Sequence, residues 1–180
     1  MANNNLDDQT NKVIVPIPKP NINDQTNEII GTSDWSKIGL SYVDGKFYLE
    51  NPLFDRMLVQ ESSRGANLKS PKGAIGLMQI MPGTANTAQL TDDEGNLKTA
   101  GYGINYTLTK DELLDPVKNI KFAMEYFKGL RKKFGTDELA LMAYNWGPGN
   151  VRKWQAGEIS NDEVPTETIN YIKDILGDLK

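Results

Sequence analysis

The sequence predicts a mainly helical domain of the α+β kind, with one small β segment. Three observations carry this. Apolar residues recur at three- and four-residue spacing across Val117, Ile120, Met124, Phe127, Leu130 and Phe134. Helix-opening residues stand before this and the other helical stretches, in Asn51-Pro52, Asp115-Pro116, Thr136 and Pro165-Thr166. Strand signals are confined to one Asp-Gly hairpin and one short apolar run.

Taken in order, residues 1–32 read as a tail. They are rich in Asn, Asp, Gln, Thr and Pro, and "VIVPIPKP" blocks helix and central strand alike. Within them "LDDQTNKVI" (6–14) returns as "INDQTNEII" (22–30), which reads either as drift in a linker or as a duplicated docking peptide. The folded domain is expected over 33–180. In "YVDGKFYL", Asp44-Gly45 between apolar and aromatic residues signals a hairpin. Asn51 and Pro52 open a helix with Leu53, Phe54, Met57 and Leu58 on its apolar stripe, ending near Glu61–Ser63 before Gly65. "SPKG" (70–73) is a turn, "AIGLMQIM" is expected to be extended, and "MPGTANTAQL" starts another helix. "TDDEGNLKTAGYG" (91–103) reads as loop. The long helix after Asp115 carries Lys118, Lys121, Lys128, Arg131 and Lys132 on its other face, a solvated face or an anion-binding stripe. Thr136 opens a helix that stops at Gly147-Pro148-Gly149. The last helix begins at Thr166, with Ile169, Ile172 and Leu176 expected inward.

Composition limits the chemistry. The 180 residues suit one domain, with 38% hydrophobic and 24% charged residues. Cysteine and histidine are both absent, which excludes disulfides, thiol nucleophiles, imidazole zinc ligands and a Ser-His-Asp triad. No metal or other cofactor is expected, since "TDDEGN" lacks the alternating oxygen spacing of a calcium loop. The formal charge of −4 disfavours nucleic acid as a partner. No apolar run approaches the about 18 residues of a membrane span. The N-terminus has neither a basic start nor an apolar stretch of signal-peptide type.

Catalysis must then rest on carboxylates, and Glu61 is the strongest candidate. It ends an apolar helix, where burial disfavours the charged form and raises the pKa. A carboxyl protonated near neutral pH is a general acid, which glycoside cleavage needs to protonate its leaving oxygen. Ser62, Ser63, Ser70 and Gln79 supply hydrogen-bonding groups suited to an uncharged sugar polymer, and Gly73 and Gly76 allow close backbone approach. On residue types alone, Glu61 also reads as a surface acid and the glycines as ordinary turn residues. A second carboxylate, as ordinary glycosidases use, is hard to name: Asp92, Asp93 and Glu94 fall in a loop and Glu167 is far along the chain.

The ordered set "QESS", "SPKGAIGLMQIMPGTA", "LLDPVKNI", "LALMAYNWGPGNVRKW" and "PTETINYI" closely resembles the catalytic domain of the soluble lytic transglycosylases, related in fold to goose-type lysozyme. The resemblance covers about residues 50–176. It implies a lysozyme-like helical domain around a polysaccharide groove, with peptidoglycan glycan strands as substrate. It implies cleavage between N-acetylmuramic acid and N-acetylglucosamine without water, leaving 1,6-anhydro ends. One Glu serves as acid and then as base, which accords with the missing second carboxylate. Position by position, the resemblance makes Glu61 the acid/base and Ser62 its motif neighbour. Ser70, Gln79 and Met81 match groove-lining positions. Tyr144 matches a tyrosine whose hydroxyl lies against the acid, Asn145 follows it, and Glu167 matches an acid at the far wall. The alternative readings are core packing for Met81 and Tyr144, and for Glu167 a charge complementing a helix N-terminus.

The chain departs from the family pattern at three places. "RGAN" (64–67) stands where an aromatic followed by Asn-Pro is usual. Trp146 replaces a small residue, and the stretch from Ala85 to Leu113 is longer than usual. Because the implied substrate lies outside the cytoplasm and no signal peptide is read, the expected setting is a phage particle. Residues 1–32 would then tether the enzyme to virion proteins. A holin-assisted endolysin acting from the periplasm is the second setting. A hydrolytic muramidase and a non-catalytic wall-binding virion protein are the competing functions.

Overall fold

The computed structural model describes residues 32–86, 90, 91, 97, 98, 102, 104 and 106–177. The duplicated segment and most of the 91–103 loop lie outside the described residues, as do Asp92, Asp93 and Glu94. The described chain runs α1 (Thr32–Lys37), β1 (Leu40–Val43), β2 (Lys46–Leu49), α2 (Pro52–Ser62), α3 (Pro82–Asn86), β3 (Leu90–Thr91), β4 (Leu97–Lys98), α4 (Pro116–Phe134), α5 (Asp137–Trp146), α6 (Pro148–Gln155) and α7 (Thr166–Leu176). Short 3-10 turns precede α4 and α7, at Glu112–Leu114 and Asn161–Glu163.

Capping chemistry sets the helix starts where the sequence placed them. The Asn51 side chain accepts from the N–H groups of Leu53 and Phe54, and Pro52 occupies the first turn of α2. Asp115 accepts from Lys118 N at 2.9 Å, and Thr136 from Leu139 N at 3.2 Å. Each of these groups satisfies an amide that the helix itself leaves unpaired. Gly135 closes α4 at φ 92°, a left-handed conformation that glycine adopts without cost. Gly147 ends α5, and Pro148 starts α6 because it has no N–H to continue the preceding helix. Helices α1 and α6 add to the elements expected from sequence.

Strands β1 and β2 form an antiparallel hairpin in the register Leu40↔Leu49 to Val43↔Lys46. Asp44 and Gly45 both have positive φ, which matches the twist of a two-residue hairpin turn. Strands β3 and β4 pair as a second, minimal sheet.

The expected extended segment "AIGLMQIM" takes another form. Ile75 and Ile80 exchange both backbone hydrogen bonds at 3.0 Å, and residues between them fold as a tight loop. Gly76 (φ 85°) and Gln79 (φ 46°) are left-handed, so the chain reverses where a strand would continue. The core gathers around α4, whose Val117, Ile120, Phe122, Ala123, Phe127 and Leu130 are buried. Met57 and Leu58 of α2, Leu141 of α5, Ile175 of α7 and Leu77 and Met78 of the loop complete it. The basic residues of α4 all lie exposed, as a solvated face does. Lys118 pairs with Glu112 at 3.0 Å, and Arg131 with Asp137.

One expected face is rotated. On α7 the buried residues are Thr168, Tyr171 and Ile175, while Ile169 is 51% exposed and Ile172 and Leu176 are half-buried. The physical cause is α7's packing against both α2 and α5. Two neighbours fix the inward face, and hydropathy then ranks second.

Candidate active site

Glu61 lies in the last turn of α2, on the helix whose Met57 and Leu58 are wholly buried. Its carboxyl accepts a hydrogen bond from the Tyr171 hydroxyl, with 2.6 Å between Oε1 and the phenol oxygen. Burial raises its pKa from the ordinary 4.5 to about 7. The Tyr171 hydrogen bond opposes that rise, and the charge of Glu167 adds to it. Glu61 is therefore a carboxyl that holds its proton up to neutral pH.

Two phenols flank it. Tyr171 and Tyr144 both stay protonated far above the usual tyrosine range, chiefly through burial and then through the nearby charge of Glu61. The Tyr144 hydroxyl, however, donates to Met78 O at 2.9 Å. The phenol bonded to the acid is thus Tyr171, a residue not singled out from the sequence although "PTETINYI" contains it. Its position, one helical turn beyond Glu167 and on the face with Thr168, was the available signal.

The loop after Glu61 is built on internal hydrogen bonds. Ser70 caps the turn: its hydroxyl accepts from Ala74 N at 2.9 Å, and its carbonyl from Gly73 N at 2.9 Å. Gln79 donates Nε2 to Gly76 O at 2.8 Å and to Asn67 O at 3.0 Å. That leaves its amide oxygen as the group it can offer a ligand. Met81 is 43% exposed at the edge of this loop. Asn119 was also missed. This fully buried α4 side chain accepts from Met78 N at 2.7 Å and donates to Ile75 O and Leu113 O. A polar residue amid the buried face of α4 was its trace in the sequence. Gly76 is obligatory here, since a Cβ would lie 2.2 Å from both Asn119 Nδ2 and Leu113 O.

Ser62 does not face a ligand. It is 1% exposed, and its hydroxyl donates to Leu58 O and accepts from Gly65 N. The expected substrate contact gives way to a structural one, because the helix turns this side chain inward. Asn145 Oδ1 accepts from the buried Thr168 hydroxyl at 2.7 Å, tying α5 to α7. Glu167 is exposed in the first turn of α7, where the helix dipole favours it, and its charge acts on Glu61. The structure thus brings Glu61, Tyr144, Tyr171 and Glu167 together. Among the described residues, no group of three or more acidic side chains could hold a metal ion. Nor is any described helix long and apolar enough to cross a membrane.

The "RGAN" departure has a clear structure. Arg64 makes a bidentate pair with Asp55, both bonds at 2.6 Å, and donates to Phe47 O at 3.0 Å. Its guanidinium lies 4.2 Å from the Tyr48 ring centroid. Burial opposes ionisation of Asp55, yet the hydrogen bonds from Arg64 and Leu49 N hold its carboxyl below the usual value.

The transglycosylase SLT domain family matches residues 42–163. The chain is 38% identical over 126 residues to the soluble lytic murein transglycosylase of Escherichia coli, a match covering 65% of this chain and 18% of that protein. The Salmonella typhimurium protein of the same name is 36% identical over the same length, again 18% of its own. The chain therefore aligns with under a fifth of these relatives. Among solved structures it is similar to the 70 kDa soluble lytic transglycosylase of Escherichia coli, with TM-score 0.55 and 31% identity, covering 82% of this chain and 23% of that one. A complex of the 70-kDa soluble lytic transglycosylase with bulgecin A gives TM-score 0.56 and 29% identity, covering 83% and 23%.

Proposed function

The chain belongs to the transglycosylase SLT domain family, and from that premise we propose that it cleaves peptidoglycan glycan strands as a lytic transglycosylase with Glu61 as its single acid/base. The observation that carries this reading is the half-buried Glu61 carboxyl, protonated up to about pH 7 and held by Tyr171. Because the phenol donates to Oε1, that oxygen is the acceptor of the neutral acid. The proton then sits on Oε2, free to pass to a glycosidic oxygen.

Protonation by Glu61 accompanies breakage of the bond between the muramic acid C1 and the leaving oxygen. The 2-acetamido oxygen of the same sugar bonds to C1 as the leaving group departs. The Glu61 carboxylate, accepting from Tyr171, next takes the proton of the C6 hydroxyl. O6 bonds to C1 and displaces the acetamido oxygen, which closes the 1,6-anhydro ring. No water is consumed and Glu61 ends protonated again. The Gln79 amide oxygen and the exposed Met81 are suited to a sugar's N–H and apolar face. Ser70 and Asn145 hold the backbone and helices around them. Glu167 at the far wall keeps Glu61 protonated by its charge.

Mass spectrometry of digested peptidoglycan tests the reaction. Anhydro ends are lighter by one water than hydrolysed ends. Exclusively reducing ends would instead establish the hydrolytic muramidase, and no cleavage at all a wall-binding protein. Glu61→Gln preserves shape and removes the proton, so activity should fall about 10²–10⁴-fold. By likeness to the bulgecin A complex, this chain is also expected to bind bulgecin A. A ligand-dependent rise in Tm would show it.

The setting forms part of the proposal. The duplicated segments of residues 1–32 support a tether to virion proteins, so that a phage particle delivers the enzyme to the wall. Particles carrying the chain without residues 1–32 should lose the enzyme. Unchanged incorporation would favour release to the periplasm instead.

A further inference from the structure

Three successive residues directly after Glu61 and Ser62 have left-handed backbones: Ser63 (φ 51°), Arg64 (φ 60°) and Gly65 (φ 93°). Only the last is a glycine. Two non-glycine residues in this region persist when their surroundings over-determine them, and such strain gathers at functional sites. The surroundings here are specific. Arg64 O accepts from Phe47 N at 3.1 Å while Arg64 Nη1 donates to Phe47 O, so strand β2 grips the residue at backbone and side chain. Asp55, on the first turn of α2, receives both arms of the guanidinium and also the N–H of Leu49. Gly65 packs against the Phe47 ring so closely that a Cβ would lie 2.6 Å from it. The pair thus spans three pieces: the start of α2, the turn after its end, and the hairpin.

We propose that Arg64 and Asp55 are positioning residues for the catalytic acid: their paired side chains, each also bonded to β2, hold the left-handed turn that ends α2 and so fix where the Glu61 carboxyl sits. This rests on the reading of Glu61 as the acid. The clip stands where the family pattern has an aromatic and Asn-Pro, so this chain replaces local backbone stiffness by a charged fork tied to the hairpin. Released from the clip, Ser63 and Arg64 relax toward ordinary backbone angles. The last turn of α2 then frays, and more water reaches the half-buried Glu61 carboxyl, which otherwise accepts from Tyr171 of α7.

The test is a carbon-13 NMR titration of the Glu61 carboxyl in the full chain, run beside kinetics on peptidoglycan. Wild type is compared with Arg64→Lys, Asp55→Asn and the double variant. Lysine keeps charge and stem but cannot form the fork, so folding is retained. Each single variant should move the Glu61 midpoint down by about one pH unit and lower kcat about tenfold at little change in KM. The double variant should be no worse than the singles, because one clip is broken once. Asp137→Asn, which opens the exposed Arg131–Asp137 pair elsewhere, should leave the midpoint alone. An unmoved midpoint in Arg64→Lys and Asp55→Asn, with only Tm reduced, would overturn the inference and leave the proposed function standing. An equal shift in Asp137→Asn would also overturn it. An ordinary carboxylate midpoint in wild type would sink the assignment of Glu61, and this inference with it.

Discussion

Glu61 and Tyr171 share a hydrogen bond of 2.6 Å, yet burial and the phenol act on the carboxyl in opposite senses. Burial, the larger effect, keeps the proton on; the phenol favours the ionised form. Activity that needs protonated Glu61 should therefore decline as pH rises through about 7, measurable in a pH–rate profile. Tyr171→Phe removes the phenol's contribution, so the alkaline limb should move to higher pH even as kcat falls, by about tenfold for one lost hydrogen bond to a charged group. A limb moving to lower pH would show that Tyr171 acts mainly by excluding water. Glu61 stood out in the sequence less by its residue type, which also suits a surface acid, than by the resemblance of the motifs around it to the lytic transglycosylases. The sequence did not reveal which tyrosine bonds to it. Tyr171 is buried and Tyr144 half-buried, and only the relative placement of α5 and α7 decides where each hydroxyl points.

At the scale of elements, two glycines record how closely segments approach α4. The Gly76 Cβ position is occupied by Asn119 and the Leu113 carbonyl, and its φ of 85° is itself unfavourable for alanine. Gly76→Ala should cost at least about 2 kcal/mol in denaturant unfolding and disturb the loop carrying Gln79 and Met81. On the other side, a Cβ at Gly129 would lie 2.0 Å from the Tyr102 carbonyl oxygen. Tyr102 meets Tyr126 edge-on, Tyr106 meets Phe122 likewise, and Ile104 and Leu108 are buried, so these described residues of the segment before α4 pack onto the helix and the core around it. Gly129→Ala should displace that segment, giving faster proteolysis within residues 86–113 while α4 itself stays helical by circular dichroism. Helix starts were legible because caps are local chemistry. The 75–80 loop was not, since its reversal depends on Asn119 from a helix far along the chain.

For the molecule as a whole, the carboxyl proposed as the acid is also one that destabilises. Below pH 4.5 the folded and unfolded chains both hold the Glu61 proton, and above about 7 the folded chain carries a charge it solvates poorly. Stability is thus fully present at low pH and is lost as pH rises between those values, by up to about 3 kcal/mol at 1.36 kcal/mol per unit. Glu61→Gln should match wild type in Tm near pH 4 and exceed it increasingly up to pH 8; equal curves across that range would refute the buried-acid reading. The sequence by itself determined what is local or compositional: the helical class, the helix starts, the hairpin turn, and the absence of thiol and imidazole chemistry. Caps, turns and residue types act within a few residues of chain, so no distant partner is needed to read them. Only the tertiary structure decided the inward face of α7, the inward turn of Ser62, the choice of Tyr171 over Tyr144, and the Arg64–Asp55 clip. Each of these depends on two or three segments meeting at set angles, and packing geometry of that kind is absent from any single stretch of sequence.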